Sequence, residues 1–248
     1  MAQHLVIDGS RRAFLRAGAG LILAATLQSR GAPAQGAANR NLPIGIIGSG
    51  HIGGTVGGVW AKAGHPVSFS SRHPEELRQL AAGLGPLARA GTVADAIAFG
   101  QALLFAVPYK ALPELGRDYG PALKGKIVLD ACNAVTPRDG TIVEEAEQNG
   151  IGITSQKYLP GTRLVRAFNT LNYMVLAREA NRSDPKLAIP IAGDDPDAVE
   201  IAATLVRDAG FDPVIVGKLE DARRFQRGAP GYGQQVSAAE LKQKLSLP

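Results

Sequence analysis

Residues 44–53 read IGIIGSGHIG, a short apolar run that leads into the spacing Gly48-x-Gly50-x-x-Gly53, and a stretch compatible with a helix follows it. In a strand–turn–helix unit the first glycine allows a tight turn, the second lets the backbone approach a pyrophosphate, and the third lets the helix pack on the sheet. The phosphates then lie against unbonded N–H groups at the helix N-terminus. The alternative is an ordinary glycine-rich turn. We predict a dinucleotide-binding turn made of Gly48, Ser49, Gly50, His51, Ile52 and Gly53.

The end of the next apolar run indicates which dinucleotide is bound. This run, residues 66–70, is followed by Ser71 and Arg72, where an NAD-binding chain carries Asp or Glu. A carboxylate there would accept hydrogen bonds from the ribose hydroxyls and would repel a 2′-phosphate. Ser71 offers a hydroxyl, and Arg72 offers a guanidinium suited to phosphate. The pair favours NADP(H) over NAD, although Ser71 and Arg72 could instead be a solvated loop pair.

Strand-like apolar runs alternate with helical stretches along the chain, a pattern typical of a parallel sheet covered by helices on both faces. We therefore predict an α/β fold of the Rossmann type, with a doubly wound, mostly parallel sheet. The predicted strands are 44–47, 67–70, 102–107, 126–130, 163–168, 187–192 and 213–216. The predicted helices are 52–63, 74–82, 93–99, 109–115, 142–148, 197–209, 219–226 and 238–244.

The first residues have the features of an export signal. Ser10-Arg11-Arg12 begins a twin-arginine pattern, an apolar stretch follows over residues 17–27, and Ala32-Pro33-Ala34 offers a small-residue cleavage point. The apolar stretch is too short to span a bilayer as a mature helix. We predict a twin-arginine signal peptide over 1–34, a short linker over 35–42, a Rossmann domain over 43–228 and a C-terminal extension over 229–248. The mature protein is then expected in the periplasm, exported in folded form by the twin-arginine machinery; an uncleaved membrane anchor is the minority interpretation.

Charge and cysteine content exclude some classes of function. The whole chain has a formal net charge of +5, but residues 1–34 hold four arginines and one aspartate, so the mature chain would carry about +2. This small excess gives little support to nucleic-acid binding. The single cysteine, Cys132, rules out an intrachain disulfide and is expected to be a small buried residue.

Three loops that follow predicted strands are expected to border the ligand crevice, which in open α/β sheets lies beyond the carboxyl ends of the strands. Val107 and Pro108 would pass the ribose and nicotinamide, and Asn133 could bind the nicotinamide end. For Asn133 and Asn169 a turn or capping role is equally plausible. The sequence Asp194-Asp195-Pro196 is expected to start a helix rather than to supply a catalytic carboxylate pair.

No acid–base pair or metal-binding motif stands out, so no metal is expected. Tyr109, just past the fourth strand, is a weak candidate proton donor, and otherwise the catalytic residue is unknown. His51 is interpreted first as a helix N-terminal residue whose ring could contact the cofactor. This pattern is compatible with hydride delivery to a flavin-like ring, because the cofactor carries that chemistry.

Residues 44–227 resemble the family of NADP oxidoreductases that reduce the deazaflavin coenzyme F420, a domain that also occurs in iron-reducing membrane proteins. The segments that carry the resemblance are IGIIGSGHIG, KAGHPVSFSSR, LLFAVPYKAL, KIVLDACNAV, VRAFNTL, IAGDDPDA and AGFDPVIVGKLEDAR. The resemblance implies direct hydride transfer between a nicotinamide and a flavin-like ring. It also implies NADP contacts at residues 48–52 and at Ser71, Arg72, Val107, Pro108 and Asn133. Homodimerisation is compatible with the family, but no segment indicates an interface.

The chain departs from the family at Ala134, where proline is usual, at Arg166, where lysine is common, and after Arg227. These regions could line the site of the small-molecule hydride acceptor, so the acceptor is less well indicated than NADP(H). The expected acceptor is coenzyme F420 or a flavin. The alternatives are a non-catalytic NADP-binding module, or a reductase of a small imine, a carbonyl compound or a metal chelate.

Overall fold

The structure, a computed structural model, describes residues 41–248. The predicted signal peptide and most of the predicted linker lie outside these residues. None of the helices formed by residues 41–248 is both long enough and apolar enough to cross a membrane.

Eight strands in the described part of the chain form one sheet. They are β1 (Ile44–Ile47), β2 (Val67–Ser70), β3 (Ala88–Gly91), β4 (Ala102–Phe105), β5 (Ile127–Asp130), β6 (Arg163–Arg166), β7 (Ala188–Gly193) and β8 (Asp212–Gly217). Their spatial order is β3-β2-β1-β4-β5-β6-β7-β8. All neighbours run parallel except β6 and β7, which are antiparallel. The predicted doubly wound, mostly parallel α/β sheet is confirmed.

Helices connect these strands and cover the sheet. They are α1 (His51–Ala63), α2 (Arg78–Leu84), α3 (Val93–Phe99), α4 (Leu112–Leu123), α5 (Ile142–Asn149), α6 (Ile151–Tyr158), α7 (Tyr173–Glu179), α8 (Pro196–Asp208) and α9 (Ala238–Lys244). Short 3-10 segments span Pro74–Leu77, Tyr109–Ala111 and Leu219–Phe225. Every residue of β1, β2, β4 and β5 is buried, as expected for strands that are covered on both faces.

The sheet has an apolar core on each face. One core joins α1, α7 and α8 to the sheet, and the other joins α3, α4, α5 and α6 to it. Trp60 is central to the first core, because its indole nitrogen donates to the Leu205 carbonyl at 2.7 Å and its ring meets Phe168 edge to face. This contact fixes α1, which carries the glycine-rich turn, against α8.

Three elements of the structure are absent from the sequence-based prediction. β3 is a short edge strand with only alanine, arginine and glycine, so it lacks the apolar pattern of the other strands. Gly150 separates α5 from α6 and has a φ of +85°, a conformation that glycine adopts readily. In the sequence this glycine indicates the end of the helical region, so α6 is missed. α7 is capped by Asn172, whose side chain accepts from the Val175 N–H at 3.0 Å, and its short sequence carries little periodicity.

The predicted helix 109–115 is also wrong in its extent. Residues 109–111 form a 3-10 turn, and the α-helix continues to Leu123. Gly116, Gly120 and Pro121 obscure this helix in the sequence, since glycine and proline are poor helix formers. A Cβ on Gly116 would lie within 1.8 Å of the Tyr158 carbonyl oxygen, so the glycine permits α4 to pack directly on α6.

The C-terminal extension packs on the last two strands. The Ala188 N–H in β7 donates to the Val236 carbonyl at 2.9 Å. Leu241 of α9 and Leu245, which directly follows this helix, then pack with Val214 and Phe225 in a third apolar cluster. The extension therefore covers one face of the β7–β8 end of the sheet.

The packing of α1 against the sheet predicts opposite effects for two neighbouring glycines. A Cβ on Gly57 would lie 2.6 Å from the buried Phe69 ring, whereas a Cβ on Gly58 would have 3.6 Å to its nearest neighbour, Leu84. We expect Gly57→Ala to lower the free energy of unfolding by about 1–3 kcal/mol through overpacking. Gly58→Ala should raise it by up to about 1 kcal/mol through helix propensity. Urea unfolding of both variants measures the difference, and equal stabilities would contradict this packing.

Candidate functional site

The turn between β1 and α1 allows no side chains at two of its glycines. Gly48 has a φ of +94°, and a Cβ there would lie 2.6 Å from Val107 Cγ1. A Cβ on Gly53 would lie 2.1 Å from the Gly48 carbonyl oxygen. The turn is thereby held tightly against the sheet and against the loop that follows β4, and Val107 of this loop lies beside the glycine-rich segment.

The N-terminus of α1 is open. No side chain of the described residues caps it, and its first turn contains no acidic residue. Gly50 is exposed at the N-cap, and a Cβ built on it would have no neighbour within 4 Å. The first N–H groups and the positive end of the helix dipole therefore face an open space that suits an anion.

The end of β2 lies beside this turn. The Ser49 N–H donates to the Ser70 carbonyl at 3.0 Å, and the Ser70 hydroxyl donates to the Ile46 carbonyl at 2.6 Å. These bonds place Ser71 and Arg72 directly after the strand that neighbours the glycine-rich turn. Arg72 is exposed and makes no ion pair or hydrogen bond with any residue of the range 41–248. Its guanidinium, unpaired in this part of the chain, is thus available next to the anion-binding turn.

A crevice of two adjoining clefts runs over the carboxyl ends of the central strands. The first cleft, of about 270 Å³, lies between the glycine-rich turn and the loops after β4 and β5. It is lined by His51, Ile52, Ala106, Val107, Pro108, Ala131, Cys132, Asn133, Val135, Arg138 and Tyr232. The second cleft, of about 240 Å³, is lined by Ile52, Ala131, Asn133, Phe168, Asn169, Leu171, Asn172, Tyr173 and Tyr232. The structure therefore brings five of the predicted site residues together in the first cleft: His51, Ile52, Val107, Pro108 and Asn133.

Two amide side chains that line the crevice carry oxygen atoms without a hydrogen-bond partner among residues 41–248. Asn133 Nδ2 donates to the Asn169 carbonyl at 2.6 Å, and Asn169 Nδ2 donates to the Phe225 carbonyl at 3.3 Å. The Oδ1 atoms of both residues are buried and lack a partner within residues 41–248. A buried acceptor without a partner is costly, so both oxygens are suited to a ligand that offers N–H donors.

A buried ion pair supports the loop that carries Asn133. Arg166 Nη1 lies 2.5 Å from Asp130 Oδ2, and both side chains are completely buried. The other oxygen of Asp130 accepts from the Cys132 N–H at 2.9 Å. Arg166 lies beneath the crevice and does not line it, so the expectation that this position lines an acceptor site is wrong.

Cys132 borders the first cleft, but its thiol is suited to packing. Its Sγ lies 3.4 Å from the Phe105 carbonyl oxygen, and burial raises the pKa of the thiol well above its usual value. A protonated, buried thiol is a poor nucleophile. The prediction of a small buried residue at this position is confirmed.

The structure contradicts the prediction of Tyr109 as a weak candidate proton donor. Its side chain is fully buried, and its hydroxyl donates to the Ile151 carbonyl at 3.1 Å and lies 3.1 Å from Ser155 Oγ. Burial and the Asp130 charge raise the pKa of this phenol. The chain turns Tyr109 away from the crevice because the 3-10 turn at 109–111 directs it toward α6.

The neighbouring carboxylates of Asp194 and Asp195 have separate structural roles. Asp195 is the N-cap of α8 and accepts from the Ala198 N–H at 3.0 Å, while Arg163 forms two hydrogen bonds with it. Asp194 accepts from the Leu219 N–H at 2.9 Å. The expectation of a helix start rather than a catalytic pair is therefore confirmed.

Several residues that line the crevice are absent from the sequence-based site, and four of them have distinctive contacts or conformations. Phe168 adopts a φ of +59°, a conformation that non-glycine residues rarely take and that often occurs at functional sites. Tyr173 stacks on the exposed His51 ring, with centroids 4.2 Å apart. Arg138 donates to the Asn133 carbonyl at 2.6 Å and pairs with Asp139. Tyr232 comes from the segment after Arg227 that departs from the family; an aromatic residue between glycines in a loop is the one signal that the sequence offers for it.

The fold is of the Rossmann type, and the crevice lies at the place where such folds bind dinucleotides. Residues 43–134 match the model of a family described as NADP oxidoreductase, coenzyme F420-dependent. The matched segment contains the glycine-rich turn, Arg72 and Asn133.

Similarity to individual proteins extends beyond this segment. The chain is 36% identical over 94 residues to protein YjhV of Escherichia coli, covering 38% of this chain and 66% of YjhV. It is 27% identical over 187 residues to the rat metalloreductase STEAP3, covering 74% of this chain and 35% of STEAP3. The chain thus spans only part of the length of either relative.

Among solved structures, hypothetical protein SMa0349 from Sinorhizobium meliloti superimposes with a TM-score of 0.69 at 27% identity, covering 79% of this chain and 95% of that one. A protein from Arthrobacter sp. FB24, assigned as an F420-dependent NADP reductase, superimposes with a TM-score of 0.64 at 23% identity. That match covers 74% of this chain and 88% of the Arthrobacter protein and shows the common fold.

The open space at Gly50 predicts a variant that loses ligand binding without losing stability. Gly50 has a φ of −74°, which alanine adopts readily, so Gly50→Ala should change the free energy of unfolding by less than about 0.5 kcal/mol. The new methyl group would occupy the space in front of the helix N-terminus and should weaken NADPH binding at least about tenfold. Titration by nucleotide fluorescence and urea unfolding measure the two effects. Unchanged NADPH affinity would contradict the placement of the pyrophosphate.

Proposed function

We propose that this protein is an NADP(H)-dependent oxidoreductase that transfers hydride between the nicotinamide and a flavin-like acceptor, coenzyme F420 or a related flavin. The observation that carries this proposal is the N-terminus of α1, which no described side chain caps and which opens onto a crevice of two adjoining clefts. The family description and the similarity to the rat metalloreductase support the oxidoreductase class.

The residues around the turn would bind the phosphates. The N–H groups in the first turn of α1 offer donors to a pyrophosphate, and Gly50 leaves room for it. Arg72, with no protein partner in the described chain, would pair with the 2′-phosphate, and the Ser71 hydroxyl would support it. The Ser71 hydroxyl already accepts from the His73 N–H at 2.9 Å, which orients this short turn.

The first cleft would hold the nicotinamide end. Val107 and Pro108 form one wall, and Asn133 Oδ1, which has no partner in the described chain, would accept a hydrogen bond from a carboxamide N–H. When bound, the reduced nicotinamide supplies the hydride. The second cleft adjoins the first through Ile52, Ala131, Asn133 and Tyr232, so an acceptor there would lie next to the nicotinamide. The protein's contribution is binding, orientation and exclusion of water.

Turnover by the full chain tests the proposal. NADPH is titrated first, and its oxidation is then followed with coenzyme F420, a flavin, a ferric chelate and a cyclic imine as separate acceptors. Oxidation with F420 or the flavin is expected. Tight NADPH binding without turnover would instead favour a non-catalytic NADP-binding module, and turnover only with the imine or the chelate would favour the corresponding reductase. Absence of saturable binding would overturn the proposal altogether.

The role of Arg72 predicts a change in cofactor preference. Arg72→Ala should weaken NADPH binding by more than about 1.5 kcal/mol, the lower end for hydrogen bonds to a charged group, and should barely change NADH binding. Arg78→Ala is the matched control, because it removes another exposed arginine a few residues further along the chain. Equal losses for NADPH and NADH, or an equal effect of the control, would argue against a 2′-phosphate contact.

We also propose that the protein is exported folded to the periplasm by the twin-arginine route. The support is the sequence Arg11-Arg12 before an apolar stretch and a small-residue cleavage point, which lies outside the described residues. A double variant, Arg11→Lys with Arg12→Lys, should retain the protein in the cytoplasm because the export receptor reads the arginine pair. Cell fractionation with immunoblotting measures this, and normal export of the double variant would refute the route.

A further inference from the structure

The C-terminal extension contributes a strap, residues 229–235, that reaches the crevice. The Gly233 N–H donates to the Thr170 carbonyl at 3.0 Å, which ties the strap to the loop after β6. The Gly231 N–H donates to the Arg224 carbonyl at 2.9 Å, and Arg178 Nη2 donates to Gln235 Oε1 at 3.0 Å. Tyr232 is thus held at both ends of its turn.

Tyr232 borders both clefts at the place where they meet. The residues common to the two linings are Ile52, Ala131, Asn133 and Tyr232. The first three belong to α1 and to the loop after β5, whereas Tyr232 alone among these four comes from the strap. Tyr232 is therefore the residue that the strap contributes to both clefts, whose other shared lining residues come from α1 and the loop after β5.

The hydroxyl of Tyr232 has no hydrogen-bond partner within residues 41–248, and it is not among the completely buried polar atoms. The Tyr109 hydroxyl, by contrast, is bonded to Ile151 inside the core. Because Tyr232 is half-buried, its ring can present both an apolar face and a solvated hydroxyl to a ligand.

The described residues that line the second cleft include no charged side chain. Those that belong to this cleft alone are aromatic, aliphatic or amide in character: Phe168, Asn169, Leu171, Asn172 and Tyr173. The charged lining residue Arg138 belongs to the first cleft and is paired with Asp139 at 2.7 Å. Burying an ionised group in such surroundings without a counter-charge is costly, whereas a flat uncharged ring gains from aromatic stacking.

From these observations we infer that Tyr232 is a specificity-determining residue, whose side chain borders an acceptor cleft that admits an uncharged planar ring and excludes an anionic group. The phosphate and carboxylate groups of an acceptor such as coenzyme F420 would then lie outside this cleft. This inference rests on the proposed function, since it assigns the second cleft to the hydride acceptor. The hydride leaves the nicotinamide carbon and forms a bond to the acceptor ring, and solvent supplies any proton that the reduced acceptor takes up. Tyr232 acts by contact with the acceptor and does not exchange a proton.

Three variants of the full chain test the inference: Tyr232→Phe, Tyr232→Ala and Gln243→Ala. The probes are riboflavin, which is uncharged and three rings wide, and ferric EDTA, which is anionic. Tyr232→Ala should lower kcat/KM for riboflavin by about tenfold or more, mostly through KM, while NADPH affinity stays within about twofold of wild type. Tyr232→Phe, which keeps the ring, and Gln243→Ala, which alters an exposed residue of α9 outside both linings, should stay close to wild type. Wild type should use riboflavin in preference to ferric EDTA.

Several outcomes would overturn the inference: an unchanged Tyr232→Ala variant, a Tyr232→Phe variant that is as impaired as Tyr232→Ala, or preferential use of ferric EDTA by wild type. If Tyr232→Ala does not fold, as thermal unfolding would show, Tyr232→Leu replaces it with the same expectation.

Riboflavin binding to the NADPH-bound protein is measured in parallel by fluorescence quenching. If wild type binds riboflavin but does not reduce it, the proposed function fails while weaker binding by Tyr232→Ala still supports the inference. If wild type does not bind riboflavin, the inference fails.

Discussion

The close contact between the β1–α1 turn and the loop after β4 is the constraint on which the candidate site depends. Gly48 and Gly53 lie so near to neighbouring backbone and side-chain atoms that a Cβ on either would overlap them. Because these glycines have no side chain, α1 can begin directly above the sheet. No described side chain caps its first N–H groups. Trp60, bonded to the Leu205 carbonyl, then fixes the far half of α1 against α8. The position of this uncapped helix N-terminus is therefore set by backbone packing and not by a charged side chain.

Charged groups are distributed unevenly around the crevice. The guanidinium of Arg72, unpaired within residues 41–248, follows β2 and lies outside both linings, whereas the described lining of the second cleft beyond Asn133 is aromatic, aliphatic or amide and carries no charge. Between them, the buried Asp130–Arg166 pair holds the start of the loop that carries Asn133. Losing one partner of a buried pair is strongly destabilising, by about 3–5 kcal/mol, so this loop has little freedom to move. Such an arrangement suits a long ligand that is anionic at one end and neutral at the other.

The sequence predicted much of the sheet and the glycine-rich turn because those elements depend on local patterns. Buried parallel strands are continuous apolar runs, and the glycine spacing has a direct backbone meaning. It failed at β3, which is a short edge strand without apolar character, and at α4, where Gly116 is required by contact with α6. It also failed at Tyr109. A tyrosine that follows a strand end can face either the crevice or the core, and only the packing against α6 selects the core.

Local sequence patterns are enough to predict the class of fold and the position of the glycine-rich turn. They also show that Arg72 stands after β2 in place of a carboxylate. The rest of the site depends on packing in three dimensions, because Asn133, Asn169 and Tyr232 line one crevice. These residues are far apart in the sequence, and their proximity arises from strand order and from the packing of the C-terminal extension. Neither of these leaves a periodic signal in the amino-acid sequence.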